Sequence, residues 1–157
     1  MKPQIGITEN HLANSVTLLS SVLADGMTLY IKTRKFHWNV CGESFMEIHK
    51  LFENQYKQLE ESIDEIAERI NKLGGKTIGT MAEFSKLTHL KESPSKYPSQ
   101  KEMLAELLND HETVIVSLRT GIEVSEKENK DIGTADFLTG MLQEHETIAW
   151  ILRRYLS

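Results

Sequence analysis

Five side chains able to hold a metal fall within one stretch, Arg34 to Arg69. They are His37 and His49, then Glu53, then Asp64 and Glu68. Imidazole nitrogen combined with carboxylate oxygen suits iron, zinc or manganese, and ligand type alone leaves copper open. How these residues could cooperate depends on the helix that carries most of them. Phe52, Tyr56, Leu59, Ile63, Ile66, Ile70 and Leu73 alternate steps of four and three, which predicts a helix from Ser44 to the Gly74-Gly75 stop.

On that helix Glu53 lies about 40° round from His49, Asp64 about 60° and Glu68 about 100°, so the four share one broad face. His37 precedes the Cys41-Gly42 turn, at the end of the previous helix, and can fold back toward the start of this one. Distance is the obstacle. His49 and Asp64 are separated by roughly 22 Å along the axis, whereas a metal–ligand bond is about 2 Å. One ion cannot touch both in one chain. Either the histidine pair and the acidic pair serve separate purposes, or a second copy lies antiparallel and brings its Asp64 and Glu68 to the first copy's histidines. A two-fold interface would then carry two identical sites.

A competing arrangement can be tested on the same residues. Ferritin-like di-iron bundles build their site inside one chain from Glu-x-x-His pairs. The residues three before the six histidines are Thr8, Arg34, Met46, Lys86, Leu108 and Leu142, none of them acidic. That removes the intrachain di-iron site and favours the shared one. His11, His89, His111 and His145 read as ordinary polar residues, with His145 on the inner stripe of the last helix, where a buried, hydrogen-bonded histidine is expected. Taken singly, Asp64 and Glu68 also fit a solvated helix face, and Glu68 can pair with Lys72 at i,i+4. Trp38, beside His37, reads as core or interface, the alternative being an electron donor that limits radical escape.

The elements that must position these residues are all helical. Leu12, Val16, Leu19, Leu23, Met27 and Tyr30 predict a first helix over about 10–38, with Gly26 allowing close packing against a neighbour. Ser44 and Glu47 have the spacing of a capping box for the second helix. Residues 76–98 form a long connection. Thr80 and Glu83 predict a short helix over 80–87 within it, and Pro94 and Pro98 end it. A third long helix starts at Ser99, capped with Glu102, and buries Leu104, Leu107, Leu108 and Val114. A polar segment, Ser125 to Gly133, leads to the last helix, with Leu138, Met141, Leu142 and Ile148 in its stripe. No run reads as a strand. The expected fold is all-α, a single domain over 1–157: a four-helix bundle with a short extra helix in the long crossover.

Composition narrows the function classes. A net charge of -5 argues against an extensive nucleic-acid-binding surface. The single cysteine, Cys41, excludes an intrachain disulfide and suits a reducing cytosol. The N-terminus lacks the basic and apolar regions of a signal peptide, and no apolar run approaches the roughly 18 residues that span a bilayer. A soluble, cytoplasmic protein without a membrane partner is expected.

Lys35 to Tyr56, K-F-H-W-N-V-x-G-x-x-F-x-x-x-H-x-x-F-E-x-x-Y, followed by D-x-x-A-E-R-I-x-x-L-G from Asp64 to Gly74, resembles the Dps family of mini-ferritins, ferritin-like DNA-binding proteins from starved cells. T-A-D-x-L-T at Thr134 to Thr139 extends the resemblance. It implies a hollow twelve-subunit homo-oligomer with ferroxidase sites at its two-fold interfaces. There Fe(II) is oxidised, typically by hydrogen peroxide, and stored as ferric mineral, which protects against oxidative damage. Carried over by position, the catalytic and metal-binding residues are His37 and His49 from one subunit and Asp64 and Glu68 from its partner. Glu53, at a position that is Asp or Glu in the family, joins them as a catalytic and metal-binding residue. The resemblance also marks Asp131 and Asp136 as candidates for an acidic iron-entry pore, although acids near a helix N-terminus are favourable in any case. Many members bind DNA through a lysine-rich tail. Here only Lys2 precedes the first helix, so weak or absent DNA binding is expected. The alternative role is a DNA-compacting shell in which oxidation is secondary; a third is a helical dimer whose histidines and acids are only interface polar groups.

Overall fold

The structure, a computed structural model, describes residues 2–157. Five α-helices follow in order: α1 (Glu9–Asn39), α2 (Phe45–Lys72), α3 (Met81–Leu87), α4 (Gln100–Glu123) and α5 (Ile132–Leu156), with no strand among the described residues. The α1–α2 and α4–α5 hairpins pack into a four-helix bundle, and α3 crosses against α1 in the long connection. This is the expected fold. Leu19, Leu29, Phe52, Ile66, Leu107, Leu118, Leu138 and Leu152 are fully buried along its axis, and each contributes about 1.5–3 kcal/mol over an exposed position.

Local chemistry sets the helix ends. Both capping boxes that flank the connection form: Thr80 with Glu83 at α3, and Ser99 with Glu102 at α4. The α2 C-terminus closes with Gly75 N–H donating to the Ile70 carbonyl (3.0 Å) and Gly74 N–H to that of Asn71 (2.9 Å). Gly74 stands at φ +84°, and a Cβ there would lie 2.7 Å from Pro3, so only glycine fits. Gly26 does permit close packing: a Cβ there would meet Ile63 of α2 at 3.3 Å.

Three expectations need correction. The Ser44–Glu47 capping box does not form. Ser44 is left-handed, at φ 55° and ψ 28°, and makes no side-chain cap bond, while Glu47 accepts instead from the Tyr155 hydroxyl at 2.6 Å. The polar run after α4 is not simply a loop. Val124–Glu128 continues α4 as one π-helical turn, and its inward Ser125 accepts the Asp131 N–H through its carbonyl at 2.9 Å. Finally, α1 does contain a window long and apolar enough to cross a membrane by composition, but 56% of that window is buried within the bundle, as befits a core helix.

The crossover is fastened to α1 by two lysines. Lys32, only 5% exposed, donates to the Lys91 carbonyl at 2.6 Å and pairs with Asp110 (2.6 Å) and Glu106 (3.1 Å) of α4. Lys35 donates to the Ser93 carbonyl at 2.8 Å. Buried charge is costly unless paired, and here the pairing joins three elements.

Candidate metal centre

The α1–α2 hairpin brings His37 and His49 together. Their rings stack with centroids 3.8 Å apart and planes at 21°. Nδ1 of His37 lies 2.8 Å from the carbonyl oxygen of His49, and Nδ1 of His49 lies 2.9 Å from that of His37. A carbonyl only accepts, so both Nδ1 atoms carry the proton, and in the neutral rings both Nε2 atoms keep a lone pair. Fixing one ring nitrogen by a hydrogen bond to orient the other is how protein metal sites select a tautomer. The pair is fixed in orientation, with two ring nitrogens able to bind a metal.

Aromatic side chains wall this pair. Tyr56 meets the His37 ring edge-on at 5.2 Å and Phe45 lies 5.1 Å from the His49 ring. Tyr30 packs edge-on against Tyr56. Arg34 sits among Tyr30, Trp38 and Tyr56, with its guanidinium 4.8–5.4 Å from their centroids, and donates to the Tyr30 hydroxyl. That bond raises the Arg34 pKa further. Trp38 is 65% exposed, which excludes it from the core of the single chain and leaves the interface and electron-donor readings. Sequence spacing revealed none of the roles of Tyr30, Tyr56 or Arg34.

The carboxylates lie on α2 without converging on the histidines. Glu53 is held between Lys50 (2.8 Å) and Lys57 (2.5 Å), and these two hydrogen bonds lower its pKa to about 2. Asp64 lines an open groove of about 620 Å³ with Met27, Tyr30, Glu60, Glu61 and Ile63. Glu68 is exposed and pairs with Lys72 at 3.1 Å. Among the described residues of one chain, no three His, Cys, Asp or Glu side chains gather around a common point. The histidine pair and the acids Asp64 and Glu68 thus stand at separate places in one chain.

The two pore candidates part company. Asp136 is exposed. Asp131 is 1% exposed and committed inside the fold. It caps α5 by accepting from the Thr134 N–H (3.0 Å) and hydroxyl (2.6 Å), and it pairs with Arg69 at 3.2 Å. Burial pushes its carboxyl up, but the Thr134 bonds, with Ser15 and Arg69 beside them, reverse this and leave the pKa below its ordinary value. Of the two, Asp136 is the one whose carboxylate reaches solvent.

Comparison with known proteins finds ferritin-like relatives along nearly the whole chain. The ferritin-like domain family matches residues 16–157. An uncharacterised low temperature-induced protein of Nostoc sp. is 46% identical over 153 residues, spanning 98% of this chain and 86% of that protein. The DNA protection during starvation protein 2 of Bacillus anthracis is 35% identical over 143 residues, spanning 90% of this chain and 96% of that protein. Among solved structures, the Dps protein from Vibrio cholerae O1, described as a member of a broad superfamily of ferritin-like diiron-carboxylate proteins, has a TM-score of 0.92 at 27% identity, covering 99% of this chain and 97% of that one.

Proposed function

The chain belongs to the Dps family of ferritin-like proteins, and from that membership we propose that it oxidises Fe(II) at sites shared between two copies and keeps the ferric product inside a twelve-subunit shell. The observation that carries this reading is the reciprocal anchoring of His37 and His49, which leaves the Nε2 lone pairs of two stacked rings unused, with no third His, Cys, Asp or Glu gathered to them among the described residues. A second copy across a two-fold axis supplies what is missing: its Asp64 and Glu68, placed on an open surface groove and an exposed helix face.

In this site the imidazoles hold Fe(II), and the partner's carboxylates, as hard oxygen donors, favour the ferric state. Glu53 meets an arriving cation as a carboxylate already neutralised by Lys50 and Lys57, which hold its pKa down to about 2. An arriving cation takes over the role of those ammonium groups. Hydrogen peroxide is the oxidant: two Fe(II) give one electron each, the O–O bond breaks, and the oxygens leave as water or as oxide in the ferric product. Asp136 is the acid available to draw ions toward an entry pore.

The test is to mix the protein with Fe(II) and peroxide and follow ferric absorbance. Oxidation well above the buffer rate is expected, and a rate equal to buffer would refute the ferroxidase reading.

A further inference from the structure

A second histidine pair lies in the bundle core, remote from the first. His111 of α4 and His145 of α5 are 0% and 4% exposed, and their Nδ1 atoms are 2.9 Å apart. One ring must donate and the other accept, so the bond exists only while at least one ring is neutral. Nε2 of His111 is buried without a partner. We propose that this pair is an acid-sensitive joint: near neutral pH its N–H···N bond holds α4 to α5, and proton uptake in acid opens that seam and loosens the bundle.

The surroundings give a proton no welcome. From α1, Asp25 is the charged group that acts on His145, but its carboxylate already accepts from the Thr88 hydroxyl, the His89 N–H and the His89 ring. Lys32 of α1 is occupied by Asp110 and Glu106 on α4. The buried residues of α2 are all uncharged, Gln55 and Ser62 being the polar ones. On the helices of the pair itself, Glu112, Glu144 and Glu146 lie toward the surface and bond Arg153, Ser62 and Arg119. His89, 56% exposed, is the titratable group of the crossover that reaches solvent and touches Asp25.

Burial therefore lowers both histidines. His145 is pushed down to about 4, against a smaller opposing pull from Asp25, and His111 falls well below its ordinary value through burial and the neighbouring His145. The unfolded rings titrate near 6.5. Both are neutral when folded and protonated when unfolded between these limits, so the unfolded chain binds more protons there. The pair's contribution to stability is complete above about pH 6.5 and is lost as pH falls toward 4.

The decisive experiment measures guanidinium unfolding of the whole protein from pH 7.5 to 4.5, for wild type and for His111→Gln/His145→Gln. Near pH 5 the wild-type plot of log unfolding constant against pH is expected to be steeper by about two protons per chain. From pH 7.5 to 5 its unfolding constant should rise roughly several hundredfold more than the variant's, or about thirtyfold per histidine. Equal slopes would overturn the proposal, because a pair that only packs shifts stability equally at every pH. If the Gln pair does not fold, His111→Phe/His145→Leu serves the same comparison. Ring-nitrogen NMR on the wild type is a separate check: both rings should stay neutral at pH 5.5, and titration near 6.5 would overturn the idea. None of these readouts depends on iron chemistry.

Discussion

The molecule holds two histidine pairs that use the same ring in opposite ways. In the outer pair, His37 and His49 spend their Nδ1 protons on backbone carbonyls, and both Nε2 lone pairs remain available. In the inner pair, one Nδ1 of His111 and His145 donates to the other, inside a core closed to solvent. A peptide acceptor orients a ring without consuming a second one, and so makes a ligand. A ring as acceptor makes a joint, whose weak point is protonation. The identity of the acceptor, more than the presence of histidine, separates a binding site from a structural contact.

Deleting one ring from each pair puts this contrast to its hardest test. His49→Ala is expected to slow Fe(II) oxidation by about a hundredfold or more, with the assembly intact by size-exclusion chromatography. His145→Gln at pH 7.5 should leave the rate within about twofold; equal slowing in both would erase the distinction. A smaller effect tests the sharing. His49→Ala and Asp64→Ala proteins should each be inactive alone, yet random co-assembly should restore about a quarter of the wild-type sites, because a mixed two-fold interface keeps one intact site of its two. No recovery would contradict a site shared between copies. Smaller again, Lys57→Met should tighten Fe(II) binding by about two- to fivefold, the size of an exposed ion pair released from Glu53, as read by titration calorimetry without oxidant. Weaker binding would show that the lysine helps the site. Least of all, Ser44→Gly should stabilise the fold by about 0.5 kcal/mol, by relieving a left-handed serine in the turn that joins the outer pair's helices. A lower thermal midpoint would mean that the serine hydroxyl has a role the fold does not reveal.

Much of this was legible in the sequence, because helices announce themselves locally. Phe52 to Leu73 spelled out α2 by period alone, and Thr80 with Glu83 marked a helix of seven residues inside a connection. The nearness of His37 to His49 also followed from a turn between two helices. Their mutual anchoring did not, since it depends on the register in which α1 and α2 meet. The inner pair was half visible: His145 lay on a buried stripe, but its partner is thirty-four residues away on another helix, and nothing local in His111 distinguished it from a surface histidine. Ser44 and Glu47 misled for a related reason. Their spacing fits a capping box, but Tyr155, at the far end of the chain, claims the glutamate. The π turn does not show in the sequence, where Ser125 to Gly133 is only a polar segment, although its backbone bonds continue the helix.

The outer pair's use of main-chain acceptors has a consequence for how the site tolerates damage. The oxygen that orients each imidazole belongs to the peptide at the other position, and it survives whatever side chain stands there. Replacing His37 by alanine deletes one imidazole but leaves the His49 ring tied to the same carbonyl, next to a vacancy bordered by Tyr56 and the His49 ring face. Such a vacancy suits free imidazole, so the two positions should fail independently and be open to chemical rescue from solution.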